Sequence, residues 1–506
     1  MSRAQVLARQ AARLFTGTLL AKGLDLALYL LLAQTLGAVE FGRYMFALSF
    51  TLLFNALGDL GLSTVFTREV SRAPEHARAL LRPVLAVKLA LSGIVLLLVP
   101  ITARFGPGGS ESLALVVPIV AGMLLNSTAL VFDGLLRAVG RAGRSGLNLT
   151  LQSAVALLCG AGLLGIGLGP RAGAYAFLIG AIVRTISAVA WSHDLWGWSR
   201  ARLAPGTVSA PAGPIGPPPP HSPLALLREA APLALTGLFI ALYFRIDSVV
   251  LRALQGERAV GLYGGAYRMF EAFAMLAVTF RSVLFPVMSR AADGPTGSLA
   301  ALCRKSIRLN LLFTFGVAVF FTFEAPAIVR VVLGPGYAAS APALAILMWA
   351  LPGSYMADTL VFLITAQRRQ TLTAWAVGVT AAFNVVLNLV LVPRFSILGS
   401  SAATVASEWL SFGLLFAMFQ RAAPVAGMAA VVWRPLVAGA ALATGLAALS
   451  SRVPSGIAGL ALVAIASMAA YGLVLVGLGA IGRDDLEIAR GLLPGPGRRG
   501  RGTAAP

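Results

Sequence analysis

Long apolar runs, separated by short polar or glycine-containing turns, fill the chain from about residue 14 to residue 480. A run of about 20 apolar residues crosses the hydrocarbon core of a bilayer as an α-helix, because a helix satisfies every backbone N–H and C=O within its own segment. Fourteen such spans are read, at roughly 14–36, 43–66, 83–103, 113–136, 147–168, 173–195, 229–253, 260–288, 309–329, 342–366, 371–392, 398–420, 435–450 and 455–480. The thirteenth is the weakest, being short and rich in Ala and Gly. The pattern predicts an all-α polytopic membrane protein with about 14 transmembrane helices. The proline and glycine residues within spans, such as Pro118, Pro232, Pro286, Pro326 and Pro352, are expected to kink or break their helices.

The polar segments divide the spans unevenly. "PGTVSAPAGPIGPPPPHSP", residues 205–223, is an extended, unpacked stretch that separates six spans from eight. The predicted organisation is an N-lobe over residues 1–198, a Pro-rich cytoplasmic linker over 199–224, a C-lobe over 225–422, an additional helix pair over 423–482 and a basic cytoplasmic tail over 483–506. An internal repeat supports two pseudo-symmetric six-helix lobes. "GAVEFGRYMFA" at 37–47 and "GERAVGLYGGA" at 256–266 share a register shifted by 219 residues, which superposes Gly37 on Gly256, Gly42 on Gly261, Tyr44 on Tyr263 and Ala47 on Ala266. Both copies lie at the turn joining the first two spans of their half, and repeats of this kind are characteristic of transporters.

Composition agrees with the span pattern. Of 506 residues, 58% are hydrophobic and only 12% charged, against about a quarter charged in ordinary soluble proteins. The net charge of +21 suggests nucleic acid at first sight, but its placement does not. With a cytoplasmic N-terminus, 26 of the 40 Lys and Arg residues fall on the cytoplasmic side and eight on the outer side, the remaining six lying within spans. That asymmetry follows the positive-inside rule, accounts for the charge without nucleic acid, and places both termini in the cytoplasm. The charged first run, with Lys22 and Asp25 inside it and no clear cleavage site, reads as a retained helix rather than a signal peptide. Cys159 and Cys303 make no disulfide framework. Tyr44, Tyr263, Trp191 and Trp433, near span ends, read as interfacial anchors.

Two stretches carry a family resemblance: "LGAVEFGRYMFALSFTLLFNALGDLGLSTVFTREVSR" at 36–72 and "FRIDSVVLRALQGERAVGLY" at 244–263. With the span number and lobe division, the chain resembles the oligosaccharide flippases of the polysaccharide transporter family. That family belongs to the multidrug/oligosaccharidyl-lipid/polysaccharide exporter superfamily. The resemblance implies two lobes in a V around a central cavity that opens alternately to either side. It further implies a polyprenyl-diphosphate-linked oligosaccharide as substrate, location in a bacterial cytoplasmic (inner) membrane, and a last helix pair that is peripheral.

Charged residues inside spans are expensive, at about 2.5–3.5 kcal/mol each on insertion scales, and tend to face a bundle interior or a wet cavity. Arg245 and Asp247 are two residues apart, so on a helix they point about 200° apart and cannot form a same-face ion pair. Arg245 is the expected cavity anchor for diphosphate, since a guanidinium stays charged and offers a planar fork of donors. Arg184, central in the sixth span, and Arg281 lack a same-helix acid at three or four residues and join it as cationic cavity candidates. Arg268 is a fourth, though Glu271 three residues on can pair with it. Among the acids, Asp25, Asp59, Asp247 and Asp358 are candidates for coupling to H+ or Na+ or for lining the cavity. Lys22 with Asp25, and Asp133 with Arg137, are expected to pair locally, and Lys88 to snorkel to the cytoplasmic surface. Four-residue polar stripes, Asn55–Asp59–Ser63, Ser354–Asp358, Thr404–Glu408 and Asn384–Asn388, face either a neighbouring helix or sugar hydroxyls.

No P-loop, His/Cys metal cluster or large outer loop with paired carboxylates is present in the sequence, so neither ATP hydrolysis nor glycosyl transfer is expected. The leading expectation is a flippase for lipid-linked oligosaccharide with no cofactor. Its partners would be that substrate and membrane lipids, with a glycan polymerase or glycosyltransferases beside it. A cation-coupled multidrug exporter of the same superfamily is the first alternative, and a non-transporting scaffold for glycan-assembly enzymes the second.

Overall fold

The computed structural model describes residues 3–73, 76–106, 109–195, 223–292, 296–367, 369–449 and 456–480. Its α-helices are α1 (Arg3–Leu53), α2 (Asn55–Asp59), α3 (Leu62–Arg72), α4 (Ala77–Phe105), α5 (Leu113–Ala138), α6 (Ala142–Gly165), α7 (Arg171–Ser192), α8 (Pro223–Ala292), α9 (Thr296–Val332), α10 (Ala341–Leu347), α11 (Ala350–Ala366), α12 (Gln370–Ala422), α13 (Met428–Leu449) and α14 (Ile457–Gly477). Ten of the described helices are long and apolar enough to cross a membrane, or eleven when α10 and α11, bent by 43° at Met348–Trp349 together with the turn before them, count as one. The chain is a multi-pass membrane protein. The linker and the basic tail lie essentially outside the described residues.

Three of these helices are far longer than one crossing needs. The 51 residues of α1 would extend about 76 Å if straight, against about 30 Å of hydrocarbon. Each is broken by one non-helical residue: Gly37 in α1 (φ 70°, ψ 174°), Gly256 in α8 (φ 81°, ψ −175°) and Ser396 in α12 (φ 49°, ψ −128°). Each can therefore cross twice, folding back at its break. Gly37 and Gly256 are equivalent in the sequence repeat and adopt nearly the same backbone angles, a left-handed φ that costs glycine little and other residues much. The repeat is thus a structural one. The span read at 43–66 is not continuous, because the chain leaves α-helical geometry at Phe54 and again at Leu60 and Gly61, whose φ values are 45° and 75°. The helices containing Pro118 and Pro326 run on through them, whereas Pro352 stands in the first turn of α11, where its missing N–H cannot bond the Met348 carbonyl at the 43° bend. The breaks at Gly37, Leu60–Gly61, Gly256 and Ser396 fall at positive-φ residues.

The lobes meet along α1 and α8. At the end carrying Gly37 and Gly256, a Cβ on Gly42 would strike the Glu257 carbonyl and one on Gly261 would strike the Ala38 carbonyl. The 219-residue shift maps 38 onto 257 and 42 onto 261, so the crossing is reciprocal, with each copy of the repeat pressing its glycine onto the other's backbone. Arg43 adds an ion pair to Glu257 at 2.7 Å across the lobes, and the Tyr337 hydroxyl donates to the Ala33 carbonyl at 3.1 Å. At the opposite end Gly61 lies against Leu233 and the Ala230 carbonyl, while Arg68 pairs with Glu229. Both ends of the lobe interface are closed. Helices α13 and α14 dock outside the C-lobe on α9, where Phe315 fills the notch at Gly439 and Tyr471 the notch at Gly316.

Tyr44 and Tyr263 do not mark a membrane surface. Both are 1% exposed, Tyr44 lying over Gly173 and the Tyr263 hydroxyl 3.2 Å from the Thr404 hydroxyl. The close glycine crossing draws their helices inward, so the shared tyrosine of the repeat packs each lobe's core.

Candidate functional site

Arg245 and Arg268 lie eleven and twelve residues either side of Gly256, which at 1.5 Å per residue puts both about 17 Å from the turn. That is near the middle of a core about 30 Å thick. Glu271 joins them. Its carboxylate accepts from Arg245 Nη2 at 3.3 Å and from Arg268 Nη1 at 2.5 Å. The pairing of Arg268 with Glu271 follows from their three-residue spacing. The reach from Arg245 comes from folding α8 back on itself.

The N-lobe closes over this group. The Arg268 guanidinium stacks on the Tyr29 ring, 3.9 Å from its centroid, and its Nη2 points at the Met45 sulfur at 3.8 Å. A guanidinium held over an aromatic face is attracted by the ring quadrupole, more strongly where water is excluded. Arg268 is 7% exposed and its Nε has no hydrogen-bond partner. Lys22 and Asp25 pair locally at 3.7 Å and remain partly exposed, within electrostatic reach of Glu271 and Tyr29 respectively. Three cations and two carboxylates therefore surround the lobe interface at mid-depth. The shifted counterparts of Arg245, Arg268 and Glu271 in the N-lobe are Leu26, Ser49 and Leu52, so the repeat is broken here: the C-lobe carries both arginines.

Arg184 belongs elsewhere. It is buried within the N-lobe and bonds Asp133 through Nη2 at 2.8 Å and Nε at 3.2 Å. Its Nη1 bonds Asn126 and Gln152, each at 3.2 Å. Asp133 also accepts from Asn148 at 3.1 Å, so α5, α6 and α7 are fastened around this ion pair, and the acid expected to serve Arg137 serves Arg184. The sequence could not reveal that pairing, since the two residues sit 51 apart on separate helices. The Arg281 side chain lies outside the described residues.

Lys88 does not snorkel. It is 1% exposed, and its Nζ bonds Asp59, the Ser63 hydroxyl at 2.8 Å and the Ser127 carbonyl at 2.7 Å. The Asn55–Asp59–Ser63 stripe thus presents Asp59 and Ser63 to α4, where the break between α2 and α3 needs a buried cation to gather its polar groups.

Asp247 points away from Arg245, as helix geometry requires. It is buried in the C-lobe beside Tyr263, with its carboxylate accepting from the Ser248 N–H at 2.6 Å. Gly353 lets α11 approach the backbone of α12 at Glu408, which brings Ser354 and Asp358 beside that carboxylate. Asn384 donates to the Ser407 hydroxyl at 3.1 Å across the break in α12. Among the described residues, no group of three or more His, Cys, Asp and Glu could hold a metal ion.

Comparison with known proteins gives this arrangement a lineage. Residues 7–292 match the family model for polysaccharide biosynthesis protein, and residues 225–467 match that for lipid II flippase MurJ. A solved structure of the lipid II flippase MurJ in an inward closed conformation superposes with a TM-score of 0.72 at 14% identity, covering 94% of this chain and 99% of that one. An inward-facing multidrug resistance MATE family transporter of the MOP superfamily gives 0.59 at 16% identity, covering 82% and 95%. An uncharacterised membrane protein of Methanocaldococcus jannaschii is 25% identical over 168 residues. That match spans about a third of this chain and of its relative (32% of each). The fold is shared with both solved structures, and the family model covers more than half of the chain: the chain belongs to the polysaccharide biosynthesis protein family.

Proposed function

We propose that the protein is a flippase that moves a polyprenyl-diphosphate-linked oligosaccharide from the cytoplasmic to the outer leaflet by alternating access. The observation that carries this reading is the pair Arg245 and Arg268 at mid-depth between the lobes, joined through Glu271 and covered by Tyr29. A guanidinium pair in a low-dielectric cavity suits a diphosphate, whose oxygens take bidentate, charge-assisted hydrogen bonds. A cationic drug would meet the wrong sign of charge there, which favours the flippase over a multidrug exporter. In the proposed orientation both termini are cytoplasmic in a bacterial inner membrane and the Gly42–Gly261 crossing seals the outer side.

Coupling to H+ or Na+ falls to Asp247 in this reading. Asp25 and Asp59 already face Lys22 and Lys88, whereas Asp247 is held by the neutral Ser248 N–H and stands beside a tyrosine. Glycosyltransferases or a glycan polymerase would supply and consume the lipid-linked glycan on either side of the membrane.

The test is Arg245→Glu in a strain lacking the native gene, with surface glycan as the readout and membrane insertion checked separately. Loss of surface glycan with normal insertion is expected. Unchanged glycan would remove Arg245 from the transport site, and normal insertion without transport would argue against a scaffold.

A further inference from the structure

We propose that Glu271 is a built-in counter-anion, which occupies the position of the substrate diphosphate between Arg245 and Arg268 and is displaced when that diphosphate binds. The inference rests on the flippase reading and assigns a specificity role to a residue the sequence marked only as a pairing partner.

Glu271 is the acid that bridges the two arginines, at 3.3 Å and 2.5 Å. Two guanidinia left bare at mid-depth would repel each other and carry an uncompensated desolvation penalty. The carboxylate removes that penalty while the site is empty. Its side chain is 26% exposed, more than those of Arg245 (18%) and Arg268 (8%), so the group that must leave is the most accessible of the three. The arginines are less free to follow. Arg268 is stacked on Tyr29 and directed at Met45, and its buried Nε has a hydrogen-bonding position still unfilled.

Exchange then discriminates by charge. A monoanion gives the two guanidinia little more than the carboxylate already supplies, while a diphosphate brings more charge and more acceptor oxygens. The displaced carboxylate has Lys22 within electrostatic reach. Because Glu271 competes for the same donors, it lowers apparent affinity by the fraction of time the site is free, and it refills the site as the diphosphate leaves. A transporter needs this, since a site that binds too tightly does not release.

The experiment uses the full-length protein in nanodiscs of zwitterionic lipid, with inorganic pyrophosphate as probe and inorganic phosphate as comparator. Calorimetric affinity and the thermal unfolding midpoint are read for wild type, Glu271→Gln and Arg245→Gln. Glu271→Gln is expected to bind pyrophosphate roughly ten- to a hundredfold more tightly than wild type, the worth of one charge-assisted hydrogen bond. Its unfolding midpoint is expected to fall without ligand and to recover with pyrophosphate, because a ligand that binds only the folded state stabilises it. A purely structural salt bridge would give the fall without the recovery. Pyrophosphate affinity in Glu271→Gln equal to or below wild type, or stability that pyrophosphate does not restore, overturns the role of Glu271. If Arg245→Gln weakens pyrophosphate binding in that case, the cavity reading survives alone. If Arg245→Gln leaves it unchanged, both fall.

Discussion

Replacing Lys88 by methionine tests whether a cation is needed beneath the break in the second span. The side chains are of similar length, so the packing changes little, but Nζ now bonds three groups at once: Asp59, the Ser63 hydroxyl and the Ser127 carbonyl. Lys88→Met leaves Asp59 with the Ser63 hydroxyl at 2.5 Å and no positive partner among the described ion pairs. Removing one partner of a buried pair costs about 3–5 kcal/mol, whereas replacing both by apolar groups is often close to neutral. Lys88→Met should therefore lower stability by that amount, about two to four powers of ten in the unfolding equilibrium. The double variant Asp59→Leu/Lys88→Met should regain most of it. The assay is unfolding in mixed dodecylmaltoside–SDS micelles followed by circular dichroism, as a double-mutant cycle. A near-neutral Lys88→Met would mean that Nζ reaches the headgroups after all. A double variant as unstable as the sum of its singles would deny the pairing.

Two further substitutions separate scaffold from gate. Arg184→Gln should destabilise by about 3–5 kcal/mol, because it leaves Asp133 buried without its cation. It should leave pyrophosphate affinity in nanodiscs unchanged, since Arg184 is tied to Asp133, Asn126 and Gln152 inside the N-lobe; altered affinity would return it to the cavity. Gly261→Ala places a methyl on the Ala38 carbonyl and should hold the crossing apart. A single cysteine introduced near Gly37 should then label faster with a membrane-impermeant maleimide than in the parent protein, and equal labelling would show that the crossing tolerates a Cβ.

Much of the architecture was legible because it rests on local patterns. Apolar run length sets the crossing helices, and the 219-residue register of Gly37/Gly256 and Gly42/Gly261 marks both turning points; that the same glycines form the contact between lobes is visible only in the folded chain. The same logic separated Arg245 from Asp247, since two residues on one helix have a fixed angle between them. What the sequence hid is pairing between helices. Arg184 and Lys88 looked free or mobile because their acids, Asp133 and Asp59, lie 51 and 29 residues away on other helices. Glu271 was seen with Arg268 but not with Arg245, because only the folding back of α8 joins them. Proline announced the bend before Pro352, but the breaks at Leu60, Gly61 and Ser396 fall at positive-φ residues, none of them a proline.

The reciprocal contact of Gly42 and Gly261 has a mechanical side. Two helices that touch backbone to backbone, with only the flexible Arg43–Glu257 ion pair beside the contact, can turn about the point of contact without losing it. Any rocking that keeps this end shut therefore treats the crossing as a fulcrum. The arginines sit some 17 Å down the lever by helix rise, so each 10° of rotation moves them about 3 Å relative to α1. Arg245, Glu271 and Arg268 all ride on α8 and travel together, while the stack of Arg268 on Tyr29 spans the two lobes and must part. A turn of about 10° at the glycines thus makes room for a water molecule over the guanidinium pair while leaving it assembled.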